Sequence, residues 1–183
     1  AVGILPGYLA GFPDQVLMKI TMIFQPFPSF ILAVAVAGML GPGLENAVLS
    51  LMVMYWTTYA RLARSLVLQL KGEPYIQAAR LCGAGRGQIL LRHILPNMLS
   101  SMVVTAVSDI GNVILCMAGL SFLGLGVEAP MAGWGLMISN GRAYLQTAPW
   151  CILFPSLALL GAVVIFNLAG DTCRDRMEQG GGR

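Results

Sequence analysis

Apolar residues fall in long unbroken runs along this chain, without the strict alternation of a half-buried strand. Four runs approach or exceed the roughly 20 mostly apolar residues that a helix needs to cross hydrocarbon. They are Gln15–Leu40, Asn46–Leu70, Asn97–Leu120 and Pro149–Ala169. Pro26 and Pro28 interrupt the first, and Pro155 lies in the fourth. A proline removes a backbone donor and kinks a helix, which a bundle tolerates where neighbouring groups take up the freed carbonyls. The second run is apolar as far as Ala60, after which Arg61 and Arg64 appear, so it predicts a helix that leaves the bilayer and continues beyond it. The pattern predicts an all-α polytopic membrane protein.

The second and third runs are separated by a polar, basic stretch, Tyr75–Asn97, reading YIQAARLCGAGRGQILLRHILPN. Pro74 suits a first helical position, and the stretch predicts a short helix from Pro74 to about Gly83. Tyr75, Ala78, Ala79 and Cys82 fall at i, i+3, i+4 and i+7 and give that helix one small apolar face. Arg80, Arg86 and Arg92 lie off it. Two readings stay open from spacing alone: a surface gripped by another protein, or an amphipathic helix lying on the membrane.

Composition supports lipid as the environment. Of 183 residues, 57% are hydrophobic and 10% charged, against roughly 25% charged in soluble domains. The net charge of +3 and pI near 8.8 do not imply nucleic acid, because the basic residues sit beside the apolar runs. Their distribution sets orientation. With alternating spans, Lys19, Arg61, Arg64, Lys71, Arg80, Arg86, Arg92, Arg174, Arg176 and Arg183 share one side, and of the 11 basic residues Arg142 alone lies on the other. The side with the polar stretch is therefore expected to be cytoplasmic. Gly124–Ala148 then forms an external loop, with Trp134, Tyr144 and Trp150 as interfacial aromatics. No secretory signal with a cleavage site is visible. Cys82, Cys116, Cys151 and Cys173 have no metal-ligand spacing, so neither a disulfide nor a zinc site is expected.

The polar stretch resembles the EAA loop of the membrane subunits of binding-protein-dependent ABC importers. Gln77-Ala78-Ala79 stands for the triplet, Gly83 follows at the family's interval, and His93-Ile94-Leu95-Pro96 closes the motif. Gln77 in place of the acid and His93 in place of isoleucine are the departures. Elsewhere the chain is similar to the C-type permeases of the dipeptide, oligopeptide and nickel importers. The similar pieces are Gly41-Pro42-Gly43-Leu44, Tyr59-Ala60-Arg61, Leu120–Val127, Ala129-Pro130, Trp134-Gly135, Met137-Ile138, Phe166–Asp171 and Arg174-Asp175. The resemblance implies one importer transmembrane domain over 1–183, with residues 74–96 as its cytoplasmic coupling loop. An N-terminal helix and most of the next would precede Ala1. It also implies a second permease subunit, two cytoplasmic ATPases that hold ATP and magnesium, an external substrate-binding protein and no cofactor in this chain. The setting would be a bacterial or archaeal inner membrane. Tyr75, Gln77, Ala78, Ala79, Cys82, Gly83, Leu95 and Pro96 are the expected ATPase-coupling residues, and nickel or di- and oligopeptides the expected cargo.

The residues themselves offer no catalytic constellation: no nucleophile–base pair, no metal cluster, no phosphate loop with its lysine. The glycine-rich Gly83–Gly87 piece reads as a turn, and His93, the one histidine, as a structural hydrogen-bonding residue. Ser101, Thr105, Asp109, Asn112 and Cys116, spaced by four, four, three and four, mark a polar stripe down the third run. Such a stripe lines a translocation path or hydrogen-bonds neighbouring helices. Asp109, an acid near mid-membrane, favours the path. Met98, Met102 and Met117 on this run read as packing. An acid on the path suits a cation or a peptide's amino terminus, and the residues around Asp109 and Ala118 lean slightly towards nickel. The competing reading is a stand-alone channel or secondary carrier that works without ATPases.

Overall fold

The computed structural model describes residues 12–180, which are helical, with no strand among the described residues. In chain order the helices are α1 (Phe12–Phe24), α2 (Ser29–Leu40), α3 (Leu44–Gly72), α4 (Pro74–Leu81) and α5 (Arg86–Ile89). A π-helical segment, Leu90–Ile94, joins α5 to α6 (Leu95–Ser108); α7 (Ile110–Phe122), α8 (Trp134–Gly141), a 3-10 turn (Arg142–Tyr144) and α9 (Trp150–Gly180) follow. Two compact units emerge. One takes the described residues up to Pro26 together with Trp56–Val104, and the other takes Phe27–Tyr55 and the described residues from Thr105 onward.

Four equivalent spans are not what the chain forms. By length and apolarity α9 qualifies over Trp150–Arg176, and the continuous helix Arg86–Ser108 qualifies, with α1 and α2 a third span only if counted as one bent pair. That pair turns by 88° between Phe24 and Ser29, where Pro26 and Pro28 cannot donate to a helical ladder. The helix α3 is long enough, at about 43 Å for its length, but Asn46, the tyrosines, the threonines and the two arginines dilute its apolar character. The run read as one span over Asn97–Leu120 is divided. Its helix starts earlier, at Arg86, inside the stretch read as a loop, and breaks at Asp109, with α7 as a shorter apolar helix beyond. The fourth span extends past Ala169 as one helix, and Pro155 lies inside it without breaking it.

In the first unit, apolar side chains make the core: Ala63, Val67, Ile76, Ile89, Ile94 and Met98 are buried together. Phe24 meets Trp56 edge-on at 6.0 Å between ring centroids, a favoured aromatic geometry. The second unit holds a cluster of Ala33, Ala37, Ala47, Leu51, Met54 and Leu120, and its helices approach through small residues. A Cβ on Gly170 would sit 2.8 Å from the Ser108 Cα, and one on Gly111 would collide with the Asn167 carboxamide. The contacts 108–170 and 111–167 run in opposite chain directions at a spacing of three, the register of an antiparallel crossing of α9 with the end of α6 and the start of α7. A Cβ on Gly135 would strike the Ala118 carbonyl, which seats α8 against α7. In α9, Pro155 leaves the Cys151 carbonyl without its helical amide, and that oxygen faces Gly141, where a Cβ would lie 3.1 Å away. Asn46 donates to the carbonyls of Leu40 (3.0 Å) and Gly41 (3.1 Å), closing the exposed end of α2.

Gly111→Val is expected to destabilise the assembled protein by about 1–3 kcal/mol, the usual cost of overpacking. Gly161→Val on α9, where a Cβ meets nothing within 4 Å, is the control. Thermal unfolding in detergent would check the pair, and equal losses would refute the crossing.

Candidate functional site

The polar stretch folds as a short helix pinned at its inner face. Glu73 is extended (φ −66°, ψ 139°) and Pro74 takes the first helical position of α4, where a missing N–H costs nothing. Gln77 donates to the Gly72 carbonyl at 3.2 Å. Ile76 is completely buried and inserts among Val67, Ile89, Ile94 and Met98. This anchor was not among the residues singled out from sequence. Its outer face carries Tyr75, Gln77 and Ala78, all exposed, and Leu81, which is 91% exposed. Ala79 is half-buried, and Cys82 lies just beyond the helix, exposed. The small face read from spacing is thus turned outward, with Leu81 added to it as a bulky apolar residue.

The helix ends in a complete Schellman arrangement. The Gly83 amide donates to the Arg80 carbonyl and the Ala84 amide to the Ala79 carbonyl, each at 3.0 Å, satisfying carbonyls that would otherwise be orphaned. Gly83 itself has φ +87°, with nothing within 4 Å of where a Cβ would be. Its requirement is conformational, since L side chains rarely adopt that backbone. Ala84 then packs on the core.

The segment that follows absorbs Pro96. Across Leu90–Ile94 the hydrogen bonds lengthen to the π pattern, with the Leu95 amide donating to the Leu90 carbonyl. Widening the turn here accommodates a residue that cannot donate. Leu95 packs on the core, while Pro96 is exposed. Asn97 donates through Nδ2 both to the Tyr75 hydroxyl at 3.2 Å and to the His93 carbonyl at 2.8 Å. The Tyr75 and His93 rings lie 6.5 Å apart, tilted by 55°.

The polar stripe is divided between the units. Ser101, on the first, is exposed and donates to the Asn97 carbonyl at 3.4 Å. In the second, Thr105 and Asp109 are half-buried, and Asn112 is exposed. Asp109 occupies the break between α6 and α7 at φ −80°, ψ −11°. Backbone bonds still pass through it, from its amide to Thr105 and from the Val113 amide to its carbonyl, both 2.9 Å. Cys116 borders an apolar hollow of about 510 Å³ with Phe30, Leu115, Phe122, Ile138 and Leu159. Outside the stripe, the Arg142 guanidinium stacks 5.2 Å from the Phe122 ring centroid, a cation–π contact. Among the described residues no three of His, Cys, Asp or Glu gather in a metal-binding group.

A model of the family described as binding-protein-dependent transport system inner membrane component matches residues 1–180. Similar proteins include the dipeptide transport system permease of Alkalihalophilus pseudofirmus, 40% identical over 97% of this chain and 58% of its own length. The nickel transport system permease of Escherichia coli (strain K12) is 41% identical over 97% and 64%. A glutathione transport system permease of Pectobacterium atrosepticum is 42% identical over 97% and 59%. The chain therefore spans about three-fifths of the length of these relatives.

Gly83→Val is expected to cost about 1–2 kcal/mol in strain and to unseat the end of the loop helix. Gly83→Asn should cost less, because asparagine tolerates the left-handed region. Limited proteolysis between Leu81 and Gly87 would read both, and equal cleavage of the two variants would contradict the conformational account.

Proposed function

Because the chain belongs to the family of binding-protein-dependent transport system inner membrane components, we propose that it forms half of the translocation path of an ATP-driven importer for nickel or for di- and oligopeptides. The observation that carries this reading is the outward face of α4, with Tyr75, Ala78 and Leu81 exposed above a fully buried Ile76. A helix anchored on one side and small on the other suits insertion into a groove of another protein. The proposed occupant of that role is one of two cytoplasmic ATPases, which hold ATP and magnesium. A second permease subunit would complete the path, and an external binding protein would deliver the cargo. The chain does no covalent chemistry of its own. Closure of the ATPase pair on ATP would move α4, and the membrane helices would alternate access to the path. The setting is the cytoplasmic membrane of a bacterium or archaeon.

Asp109 is the proposed polar point of the path. Its carboxylate would attract a metal cation or the amino terminus of a peptide. The relatives named for dipeptide, nickel and glutathione are 40%, 41% and 42% identical, and that likeness ranks none of these cargoes first. The slight lean to nickel rests on Asp109 and the residues around it.

Ala78→Glu would bury a charge on docking and is expected to lower ATPase recovery on co-purification by roughly tenfold or more, with the membrane helices still folded. Full recovery with undiminished ATP-dependent uptake would refute the coupling assignment. Uptake by vesicles holding the permease subunits without ATPases would favour the channel or carrier instead.

Asp109→Asn preserves shape and removes charge. The assembled importer is expected to form normally and to take up nickel(II) several-fold more slowly. Unchanged uptake at equal assembly would retire Asp109 from the path and remove the lean towards a metal cation.

A further inference from the structure

The loop helix touches the rest of its unit at two points with different mechanical consequences. Ile76 is the first: it is buried at 0% exposure among Ala63, Val67, Ile89, Ile94 and Met98, which belong to α3, α5, the π segment and α6. A single apolar knob resists withdrawal, because withdrawal exposes it to water. It resists rotation weakly, since the hydrophobic effect has no direction. The helix has eight residues, and about this pivot alone it could roll.

The second point lies off that pivot. Tyr75 reaches across 22 positions of sequence to Asn97, whose Nδ2 donates to the tyrosine hydroxyl at 3.2 Å and to the His93 carbonyl at 2.8 Å. Both amide hydrogens are then used. The Tyr75 ring also lies 6.5 Å from the His93 ring. Tyr75 and Asn97 are exposed, and the apolar cluster closes beneath them without either side chain. Their contact adds direction where Ile76 adds only burial.

Resting on the importer reading above, we propose that Tyr75 and Asn97 form a clamp that stops α4 from rolling about Ile76. A push on the exposed face at Ala78 and Leu81 is then delivered into α6. Tyr75 and Asn97 are positioning residues. Without them the loop helix still docks, but part of each ATPase stroke is lost in rotation of the helix.

The test uses the whole importer, with its ATPases and binding protein, in proteoliposomes. Nickel(II) and a dipeptide are tried separately as probes, and the readout is probe transported per ATP hydrolysed. Tyr75→Phe and Asn97→Leu each remove one partner while keeping bulk. Each is expected to lower that ratio by roughly three- to tenfold, the equivalent of one lost hydrogen bond. ATPase recovery and hydrolysis should stay at wild-type levels, and the double variant should be no worse than either single. Unchanged ratios, or losses that multiply in the double variant, would overturn the clamp and leave the importer reading intact. A parallel fall in ATPase recovery would also overturn it, because the pair would then only hold the docking surface in shape. A wild-type complex that loses its ATPases, or moves neither probe with ATP, would overturn the importer reading and the clamp with it.

Discussion

In hydrocarbon no water is available to satisfy a backbone amide or carbonyl, so the chain must satisfy them itself. Much of this structure is an answer to that constraint at its prolines. At Pro26 and Pro28 the chain abandons the helix and turns by 88°. At Pro96 the preceding turn widens into a π segment and the helix continues. At Pro155 the helix α9 runs straight on, and the orphaned Cys151 carbonyl faces Gly141, which has no side chain to hold α8 away. One residue type thus gives a corner, a bulge and an unbroken span, according to what stands beside it.

The two units are held together by different forces. Around Ile76 the surroundings are polar and basic, and burial of Val67, Ile89, Ile94 and Met98 draws on the aversion of apolar surface for water. Around Gly111 and Gly170 the neighbours are apolar helices, and lipid offers no such aversion. Close approach and dispersion take over, which is why small residues sit at Ser108, Gly111, Gly135 and Gly170. The conformational demand on Gly83 is separate again: it ends a short helix abruptly so that Ala84 can return to the core.

The helical class and the loop helix could be read from the sequence because both depend on local pattern. Pro74 and Gly83 mark the ends of α4 by their own backbone restrictions. The anchor was hidden: Ile76 lies beside the small face, and only its partners in α3 and α6 show that it points inward. A signal existed in the spacing of five between Ile89 and Ile94, followed by Pro96, which fits a π turn and no α-helix. Leu81 was missed because it lies out of register with Tyr75, Ala78 and Cys82. The break at Asp109 has no mark in hydropathy, since the apolar residues continue on both sides. Cys116 shows the limit of a stripe drawn on an ideal helix: its place beside Phe30 and Leu159 depends on the neighbours of α7.

The π segment also has a genetic consequence. A π turn is an α-helix carrying one residue too many, so the stretch Leu90–Ile94 stores a single-residue surplus. Losing one codon there would let the helix relax to regular geometry, yet every later position would swing by about 100°. Met98 would leave its place over Ile76, and a neighbour not shaped for that seat would inherit it. Substitutions along this segment can accumulate one by one, whereas a deletion alters everything after it in a single step. The reading frame of the membrane helix is thus tied to its proline through five residues that look, in sequence, like ordinary filler.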